Sequence, residues 1–463
     1  AATVRRRYGG AHQRESDPGT DRQMNKKVLT VAMAYIAIAV GAGFASGQEV
    51  LQYFVGFGPW GLVGALAAAI VFSFAGFVIV QLGSYFLASD HKVVFGEVAH
   101  PVLAFLFDVT VTVTAFSIGF IMIAGGGTNL NQQFGLPTWV GSAIVIVVVL
   151  AMGFLDVSRV TRIIGALTPV LIICVLAVTI YALTHIDATW SDIHASTQLV
   201  DTTIAHWSLS SLNYVAMNLC VVASMAIVIG GDISDPKVAG FGGLLGGVFF
   251  GVLLLAITVS LYVHVPTVYR DDMPMLALAA SAAPWAGHVM ALVVFGMILN
   301  SAIGMFYALA SRFSTGSTGR FRLVLVALVV AGTVLSAFGF KNLVTWLFPV
   351  IGYAGFILMG VLGYSWIRTR RMINEETDRR GRITRLLRRK LRTDRVFSRR
   401  DQARLDREVS ASSIENAQLV GTIGSETCDD LDARGIAHDN LDGESVLQNQ
   451  AEPGPPTGEV SAK

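Results

Sequence analysis

The chain has 463 residues, of which 53% are apolar and only 14% are charged, and its mean hydropathy is +0.59. So high an apolar share excludes an ordinary soluble enzyme, since much of this chain needs lipid as its solvent. The net charge of +2 is the small difference between 34 basic and 32 acidic residues, so it predicts no nucleic-acid partner. The three cysteines have no spacing typical of a disulfide framework or a metal site. We therefore predict an all-α integral membrane protein without a cofactor.

Ten apolar segments approach the roughly 20 residues that a helix needs to cross the hydrocarbon core of a bilayer. We predict one transmembrane helix in each and number them spans 1 to 10 in chain order. Residues 1–27 precede them as an N-terminal extension, in which Met24 resembles a natural start. The ten segments cover residues 28–56, 60–88, 103–134, 138–155, 163–183, 208–231, 238–263, 285–310, 323–340 and 343–366.

The basic residues of the short loops predict the orientation. With a cytoplasmic N-terminus, seven Lys or Arg residues fall in inner loops and two, Arg270 and Lys341, in outer loops. Cytoplasmic loops are enriched in Lys and Arg, so we predict a multi-pass protein of the cell membrane with both termini in the cytoplasm. The outer loop 186–207 contains three Asp and two His residues, whose spacing matches no metal-ligand pattern and predicts a solvated acidic loop.

The region after span 10 divides into a basic segment and an acidic tail. Residues 368–400 contain fourteen Lys or Arg against four acidic residues, with Ile383, Leu387 and Leu391 at helical spacing. This pattern is typical of an amphipathic helix on anionic lipid, although a solvated run of charges is an equally good interpretation. Residues 401–463 contain thirteen acidic residues against four basic ones and many small polar residues, which predicts a disordered acidic tail.

The most informative segment lies in the middle of span 1, where residues 40–49 read VGAGFASGQE. Gly41, Gly43 and Gly47 each lower helix stability by about 1 kcal/mol relative to Ala, so together they predict a break. A break at membrane depth frees backbone groups, which suit a carboxylate and a small cation. Residues 46–49, SGQE, also fit a capping box that starts a second half-helix. Close helix packing through small residues is the alternative interpretation.

Glu49 is the one acidic residue of span 1. A carboxylate at membrane depth is costly to bury and needs a functional or pairing reason. Two interpretations stay open, because Glu49 can accept a coupling proton or can be a helix cap that stays hydrogen-bonded. We assign Glu49 to ion coupling and assign to substrate binding Gly41, Ala42, Gly43, Ser46 and Gly47.

The segment 40–49 resembles the first helix of the YkvI-like membrane proteins, a family similar to amino-acid permeases of the APC superfamily. The resemblance implies a LeuT-like fold, in which ten helices form two five-helix repeats of inverted topology with broken first and sixth helices. The repeats would cover residues 28–185 and 208–367, with the outer loop 186–207 between them.

Two further pairs of residues follow from the resemblance alone. In span 6, a break near Ala223-Ser224 would place Asn218 and Ser224 in the substrate site, although this span has no central Gly or Pro. In span 8, Asn300 and Ser301 lie where LeuT-like transporters often bind sodium, and we assign them to ion coupling. An Asn–Ser pair is also common as a hydrogen-bonding contact between helices, which is the alternative interpretation.

These patterns predict a secondary active transporter of a small organic solute, such as an amino acid, coupled to protons or sodium by alternating access. The alternative is a sensor that keeps the transporter fold without net flux and uses the tail as its output. A channel is disfavoured because the sequence shows neither rings of charge nor a carbonyl filter. A hydrolase with Ser46 as nucleophile is disfavoured because the candidate bases, His264 and His288, lie at span ends.

Overall fold

The computed structural model describes residues 18–153, 167–314, 317–394 and 396–439. These residues form eighteen α-helices and one 3-10 helix, Val55–Phe57, and no β-strand occurs within these ranges. In chain order, α1 to α18 are Pro18–Ala39, Ala42–Ser46, Gln48–Tyr53, Pro59–Tyr85, His91–Val98, Pro101–Phe134, Thr138–Met152, Leu167–Thr184, Trp190–Thr197, Trp207–Gly231, Pro236–Val263, Val265–Val268, Pro274–Ala282, Pro284–Ser314, Thr318–Ser336, Phe340–Leu391, Arg399–Ser410 and Asn416–Ala433.

Seven helices in the described ranges are long and apolar enough to cross a membrane, namely α4, α6, α10, α11, α14, α15 and α16. Helices α7 and α8 are shorter apolar helices at the positions of spans 4 and 5. Helix α1 begins at Pro18, so part of the predicted extension 1–27 is helical, and residues 1–17 lie outside the described residues. An almost entirely helical, multi-pass membrane protein is confirmed, while the count of ten spans stays a prediction.

The long helices pack in two groups, each of which combines helices from the first and second halves of the chain. Helix α4 packs mainly against α10 and α11, and α1 packs along α11. In the second group, α6 packs mainly against α14 and α7 and also contacts α15. Spans 1 and 2 therefore contact spans 6 and 7, whereas span 3 contacts span 8.

Glycines let α4 and α11 approach each other closely. A side-chain carbon at Gly76 would collide with the carbonyl oxygen of Gly243, and one at Gly243 would collide with that of Gly76. Small residues at such contacts are a common way for helices to associate in lipid, where no hydrophobic effect drives them together. The contact makes α4 and α11 one packed unit beside the first span.

Span 6 is continuous, so the predicted break near Ala223-Ser224 is wrong. Helix α10 runs from Trp207 to Gly231 without interruption. It contains no central Gly or Pro, and the Asn218 side chain donates within the helix to Tyr214 O (3.0 Å). The local sequence of α10 therefore favours a continuous helix. The break expected from the fold resemblance does not occur in it.

The last span continues directly into the basic segment as one helix. Helix α16 runs from Phe340 to Leu391 with Pro349 inside it. Helices α17 and α18 follow and pack against α16. The prediction of a disordered tail is therefore wrong for the helical residues between 401 and 433, and residues 440–463 lie outside the described part of the chain.

A separate apolar cluster holds the tail helices against α16. Ile383 and Leu387 of the basic segment face this cluster and not an acyl boundary, because α17 and α18 supply an apolar partner for them. The prediction that this face lies in lipid is therefore wrong. The buried members of the cluster come from the end of α4, from α16 and from both tail helices: Leu87, Ile383, Leu387, Leu405, Val409, Leu419, Val420 and Ile423.

A buried arginine ties α16 to the ends of the membrane helices. Arg380 is 1% exposed, and its guanidinium forms an ion pair with Glu376 (2.9 Å). It also donates to three backbone carbonyls, those of Ser84 (2.8 Å), Tyr85 (2.7 Å) and Ser234 (3.1 Å). A buried charge is stable only with such a full set of partners, so this contact fixes α16 beside the end of α4 and the loop before α11.

Helix α18 forms a second link to the same surface. Glu426 accepts hydrogen bonds from Ser234 N (2.7 Å) and Ser234 Oγ (2.8 Å), and it forms an ion pair with Lys27 Nζ (2.8 Å). Gln418 donates to Leu87 O (2.7 Å). We call the surface formed by Lys27, Ser84, Leu87 and Ser234 the tail face. The tail therefore contacts α1, the end of α4 and the loop between α10 and α11.

Candidate functional site

The first span is interrupted twice between residues 40 and 47. Helix α1 ends at Ala39, α2 covers Ala42–Ser46, and α3 begins at Gln48. Gly41 is extended, with φ −99° and ψ 178°, whereas Gly47 has a φ of 80°, a left-handed conformation that favours glycine. The chain is therefore interrupted at two of the glycines from which the break is predicted.

The first interruption leaves backbone groups without helical partners. The last bond of α1 runs from Val40 N to Ile36 O (2.9 Å). After it, the carbonyl groups of residues 37–40 and the N–H groups of residues 41–44 form no hydrogen bond within the described chain. Backbone groups at membrane depth need partners, so these groups are free to bind a ligand.

Ser46 belongs to α2 and does not cap α3. Its hydroxyl donates to Gly43 O (2.7 Å) and accepts from Gln48 N (3.2 Å). The N-cap of α3 is Gly47, and no side chain caps it. The predicted capping box between Ser46 and Glu49 is therefore wrong, because Ser46 stays in the last turn of α2 and the left-handed glycine redirects the chain.

Glu49 lies buried against the backbone of Gly43. It is 6% exposed, and a side-chain carbon at Gly43 would overlap the Glu49 carboxylate, so only glycine leaves room for it. Within the described ranges, Glu49 takes part in no hydrogen bond or ion pair. A buried carboxylate without a partner is costly and requires a proton or a bound cation. Glu49 is thus available for the ion-coupling role that the sequence predicts.

The structure adds Gln48, which the sequence-based assignment omits. Its side chain is fully buried, and neither the amide oxygen nor the amide nitrogen has a hydrogen-bond partner in the part of the chain that is described. It follows the left-handed Gly47 and precedes Glu49, so it lies at the second interruption. A Gln in the middle of an apolar span is a signal of a polar site. The capping-box interpretation assigned roles to Ser46 and Glu49 and none to Gln48.

Asn218 lies on α10 one turn after Tyr214, whose ring contacts Tyr53 of α3. The rings of Tyr53 and Tyr214 are 5.3 Å apart and meet edge to face. Asn218 donates to Tyr214 O (3.0 Å), one turn earlier on α10. The hydrogen bond of the Asn218 side chain therefore lies within α10 itself.

Ser224 belongs to a different polar cluster. Its hydroxyl lies 2.8 Å from His91 Nδ1, and His91 Nε2 lies 3.2 Å from Asp108 Oδ1. Asp108 also forms an ion pair with Arg312 at the end of α14. Ser224 therefore links α10 to this cluster, which the sequence could not reveal because its members are far apart in the chain.

Asn300 and Ser301 lie near the middle of α14, a helix that packs against α2. Both are half-buried, and neither side chain forms a hydrogen bond to another described residue. The interpretation as hydrogen-bonding contact between helices is therefore not supported. Both side chains remain available as ligands.

The groups required for hydrolysis are not assembled. His264 Nε2 contacts Ala182 O (3.1 Å) and His288 Nδ1 contacts Pro284 O (2.6 Å), so neither histidine serves Ser46. Among the described residues, no three His, Cys, Asp or Glu side chains come together as a metal site. The arrangement at the break can bind and release a solute, and it contains no nucleophile paired with a base.

Proteins with a similar sequence or a similar fold are known. No family model matches the chain. The uncharacterized membrane protein YkvI of Bacillus subtilis is 25% identical over 341 residues, which cover 72% of this chain and 94% of YkvI. The structure of MhsT in complex with L-phenylalanine has a TM-score of 0.52 at 13% identity, covering 88% of this chain and 97% of MhsT.

A manganese transporter mutant of Eremococcus coleocola has a TM-score of 0.50 at 13% identity, covering 93% of this chain and 98% of that protein. At such identities the two structures show the fold alone. The second of these proteins is named as a transporter. The resemblance to YkvI that residues 40–49 indicate is confirmed. The chain is thus similar in sequence to the membrane protein YkvI, and its fold is similar to those of MhsT and the manganese transporter.

Proposed function

We propose that the chain is a secondary active transporter of a small organic solute, such as an amino acid, coupled to protons or sodium by alternating access. The observation that carries the proposal is the interrupted first span, which buries free backbone groups, a carboxylate and an amide without partners. Each of these groups destabilises the fold while it is unpaired, so a purely structural helix has no use for them. The complex of MhsT with L-phenylalanine is an example of this fold with an amino acid bound.

The proposed architecture has ten spans in two inverted repeats, at residues 28–185 and 208–367. The packing of spans 1 and 2 against spans 6 and 7, and of span 3 against span 8, supports this proposal. Such pairing is expected when each span contacts its counterpart in the other repeat. The loop charges support cytoplasmic termini, which would place the tail face on the inner side of the membrane.

In this proposal the solute binds at the interruption and the coupling ion binds beside it. The residues that we assign to the solute are Gly41, Ala42, Gly43, Ser46, Gly47 and Asn218. The coupling ion is assigned to Glu49, with Asn300 and Ser301 as further ligands from α14. Because Ser224 is engaged with His91, we move it from the solute site to the contact between α10 and α5.

Anionic lipid is a second proposed partner. The apolar face of the basic segment is covered by the tail, so lipid contacts are left to the exposed cations directly after span 10, Arg368, Arg370 and Arg371. Juxtamembrane cations of this kind bind the anionic inner leaflet.

A sensor with a transporter fold is the second candidate function. It is favoured by the tail helix α18, which binds Lys27 of α1, Leu87 just after α4 and Ser234 in the loop before α11. A movement of those helices would be transmitted to the tail. Net flux separates the two candidates, since a sensor responds to its ligand without accumulating it.

Uptake into liposomes that contain the purified protein tests the proposal. A panel of radiolabelled amino acids is offered with a sodium gradient or a proton gradient imposed separately. Accumulation that requires one gradient would support transport and identify the coupling ion. Binding of a ligand without accumulation would favour the sensor, and neither binding nor accumulation would contradict the amino-acid proposal.

We predict that Glu49→Gln abolishes proton-driven uptake, because the neutral amide cannot accept the coupling proton. The measurement is the initial uptake rate across a range of pH. Glu97→Gln, which neutralises an exposed carboxylate on α5, is the matched control and should leave uptake unchanged. Normal uptake with an unaltered pH dependence in Glu49→Gln would remove the coupling role of Glu49.

A further inference from the structure

The amide of Gln48 differs from other buried amides of the membrane helices. Gln81 is 5% exposed, its Oε1 accepts from Trp366 Nε1 (2.7 Å), and its Nε2 donates to Pro236 O (3.3 Å). Asn213 is fully buried and likewise uses both amide atoms, with Tyr53 and Pro349 as partners. Gln48 is fully buried and uses neither. Its donor and its acceptor are both left for something outside the described chain.

The unpaired amide is costly where it lies. A buried amide loses its hydrogen bonds to water, and without replacements it lowers the stability of the fold. Leucine or methionine would fill the same space without this cost. The residue therefore has a use that packing alone does not explain.

The neighbours of Gln48 are those of the solute site. It follows Gly47, whose left-handed backbone packs against Met275 and Leu261, and it precedes the partnerless Glu49. The free N–H groups of residues 41–44 lie less than two helical turns earlier in the chain. Gln48 therefore lies in the chain between residues that we assign to the solute and the residue that we assign to the coupling ion.

We propose that Gln48 is a solute-binding residue and that its solute presents a hydrogen-bond acceptor and a donor side by side, as the carboxylate and ammonium of an α-amino acid do. The inference rests on the proposed function and specifies the solute of the same site. The Gln48 nitrogen donates to the carboxylate, and the Gln48 oxygen accepts from the ammonium. A carboxylic acid or an amine satisfies only one side of the amide, and the other side stays unpaired.

The substitution Gln48→Met gives opposite effects on stability and affinity. It removes the unpaired amide and keeps an apolar side chain of similar length, so the melting temperature of the solute-free protein rises or stays equal. The KM for the amino acid that accumulates in the uptake panel rises by at least about tenfold, since two hydrogen bonds to the solute are lost. The matched control is Gln81→Met, which breaks two existing bonds and lowers the melting temperature.

Competition measurements test the solute class in the same variants. The accumulated amino acid, its deaminated carboxylic acid and its decarboxylated amine are compared as inhibitors of uptake. In the unmodified protein the amino acid inhibits far better than either analogue, and in Gln48→Met the three become similar. This convergence is a result that a purely structural role would not produce.

Two outcomes would overturn the inference while the transporter proposal stands. One is amino-acid uptake by Gln48→Met with an unchanged KM and a lowered melting temperature, which would show that the amide supports the fold, for instance through a buried water. The other is equal inhibition by all three compounds in the unmodified protein. Absence of uptake by the unmodified protein would contradict the transporter proposal, and the melting temperatures would still show whether the Gln48 amide is unpaired.

Discussion

Two regions of this protein bury polar groups in opposite ways. At the tail face, Arg380 is 1% exposed and is satisfied by three backbone carbonyls and Glu376. At the interruption of span 1, Gln48 and Glu49 are about as deeply buried and have no partner in the described chain. The first arrangement is complete within the polypeptide, whereas the second lacks hydrogen-bond partners among the described residues.

On our proposal, the difference separates groups that hold the fold from groups that bind a ligand. A satisfied buried network contributes rigidity and fixes the position of its elements. Unpaired buried groups lower stability, and they persist in native proteins mainly where function needs them. Substitutions in the two regions should therefore change different measurements, stability of the tail contact in one and uptake in the other.

The largest effect is expected for Arg380→Met at the tail face. The change removes the donor of the three carbonyls and one partner of the Glu376 carboxylate. Breaking a buried ion pair lowers the free energy of unfolding by about 3–5 kcal/mol. We expect the tail helices to detach and to be cleaved much faster in limited proteolysis. Arg382→Met is the control, because Arg382 forms an exposed pair with Glu408 that contributes less than about 1 kcal/mol. Equal cleavage rates in both variants would contradict the role of the buried network.

An intermediate effect is expected for Gly43→Ala at the interruption. The added methyl group overlaps the Glu49 carboxylate, which must move because it is the flexible end of its side chain. We expect the protein to fold and the initial uptake rate to fall by at least about tenfold, or about 1.4 kcal/mol. Gly304→Ala on α14 is the control, because its new methyl group meets open space. A Gly43→Ala protein with normal uptake would show that the position of Glu49 is unimportant.

The smallest effect is expected for Asp235→Asn beside the tail. Burial raises the pKa of the Asp235 carboxyl, and the charge of Glu426 raises it further, while bonds from Lys237 N and Val238 N lower it. A raised carboxyl pKa favours folding below the ordinary value near 4, and this contribution is lost as the pH rises through the higher folded value. Asparagine keeps an acceptor and removes the charge.

We therefore expect Asp235→Asn to strengthen the tail contact by less than about 1 kcal/mol at neutral pH and to have no effect at acidic pH. Limited proteolysis at two pH values measures this difference. Weaker protection of the tail in the variant at neutral pH would contradict the repulsion between Asp235 and Glu426.

The interruption of span 1 was predictable because its cause is local. Gly41 and Gly47 weaken a helix through their own backbone freedom, so their neighbours need not be known. The capping box failed for a different reason, since the sequence of Ser46 to Glu49 is compatible with two geometries. The left-handed conformation of Gly47 selects the one in which Ser46 bonds backwards to Gly43.

The tail and the Ser224 cluster were not predictable because their causes are distant in sequence. Leu419 and Ile423 are too few to indicate a core, and their partner Leu87 lies more than 300 residues earlier in the chain. Average composition therefore predicted disorder. Ser224 was assigned by its place in span 6, whereas its actual partner, His91, lies on a short helix that the span pattern does not include.

Helix α16 joins span 10 to the tail as one helix of 52 residues, about 78 Å along its axis. Because this helix is continuous and α17 begins only eight residues after its end, α17 and α18 stay close to the tail face even when their contacts break. Their effective concentration there is set by geometry and not by the amount of protein in the cell. Modest contacts are then sufficient for binding, and a detached tail returns quickly. A soluble peptide with the sequence of α18 would compete poorly against the copy that the protein carries.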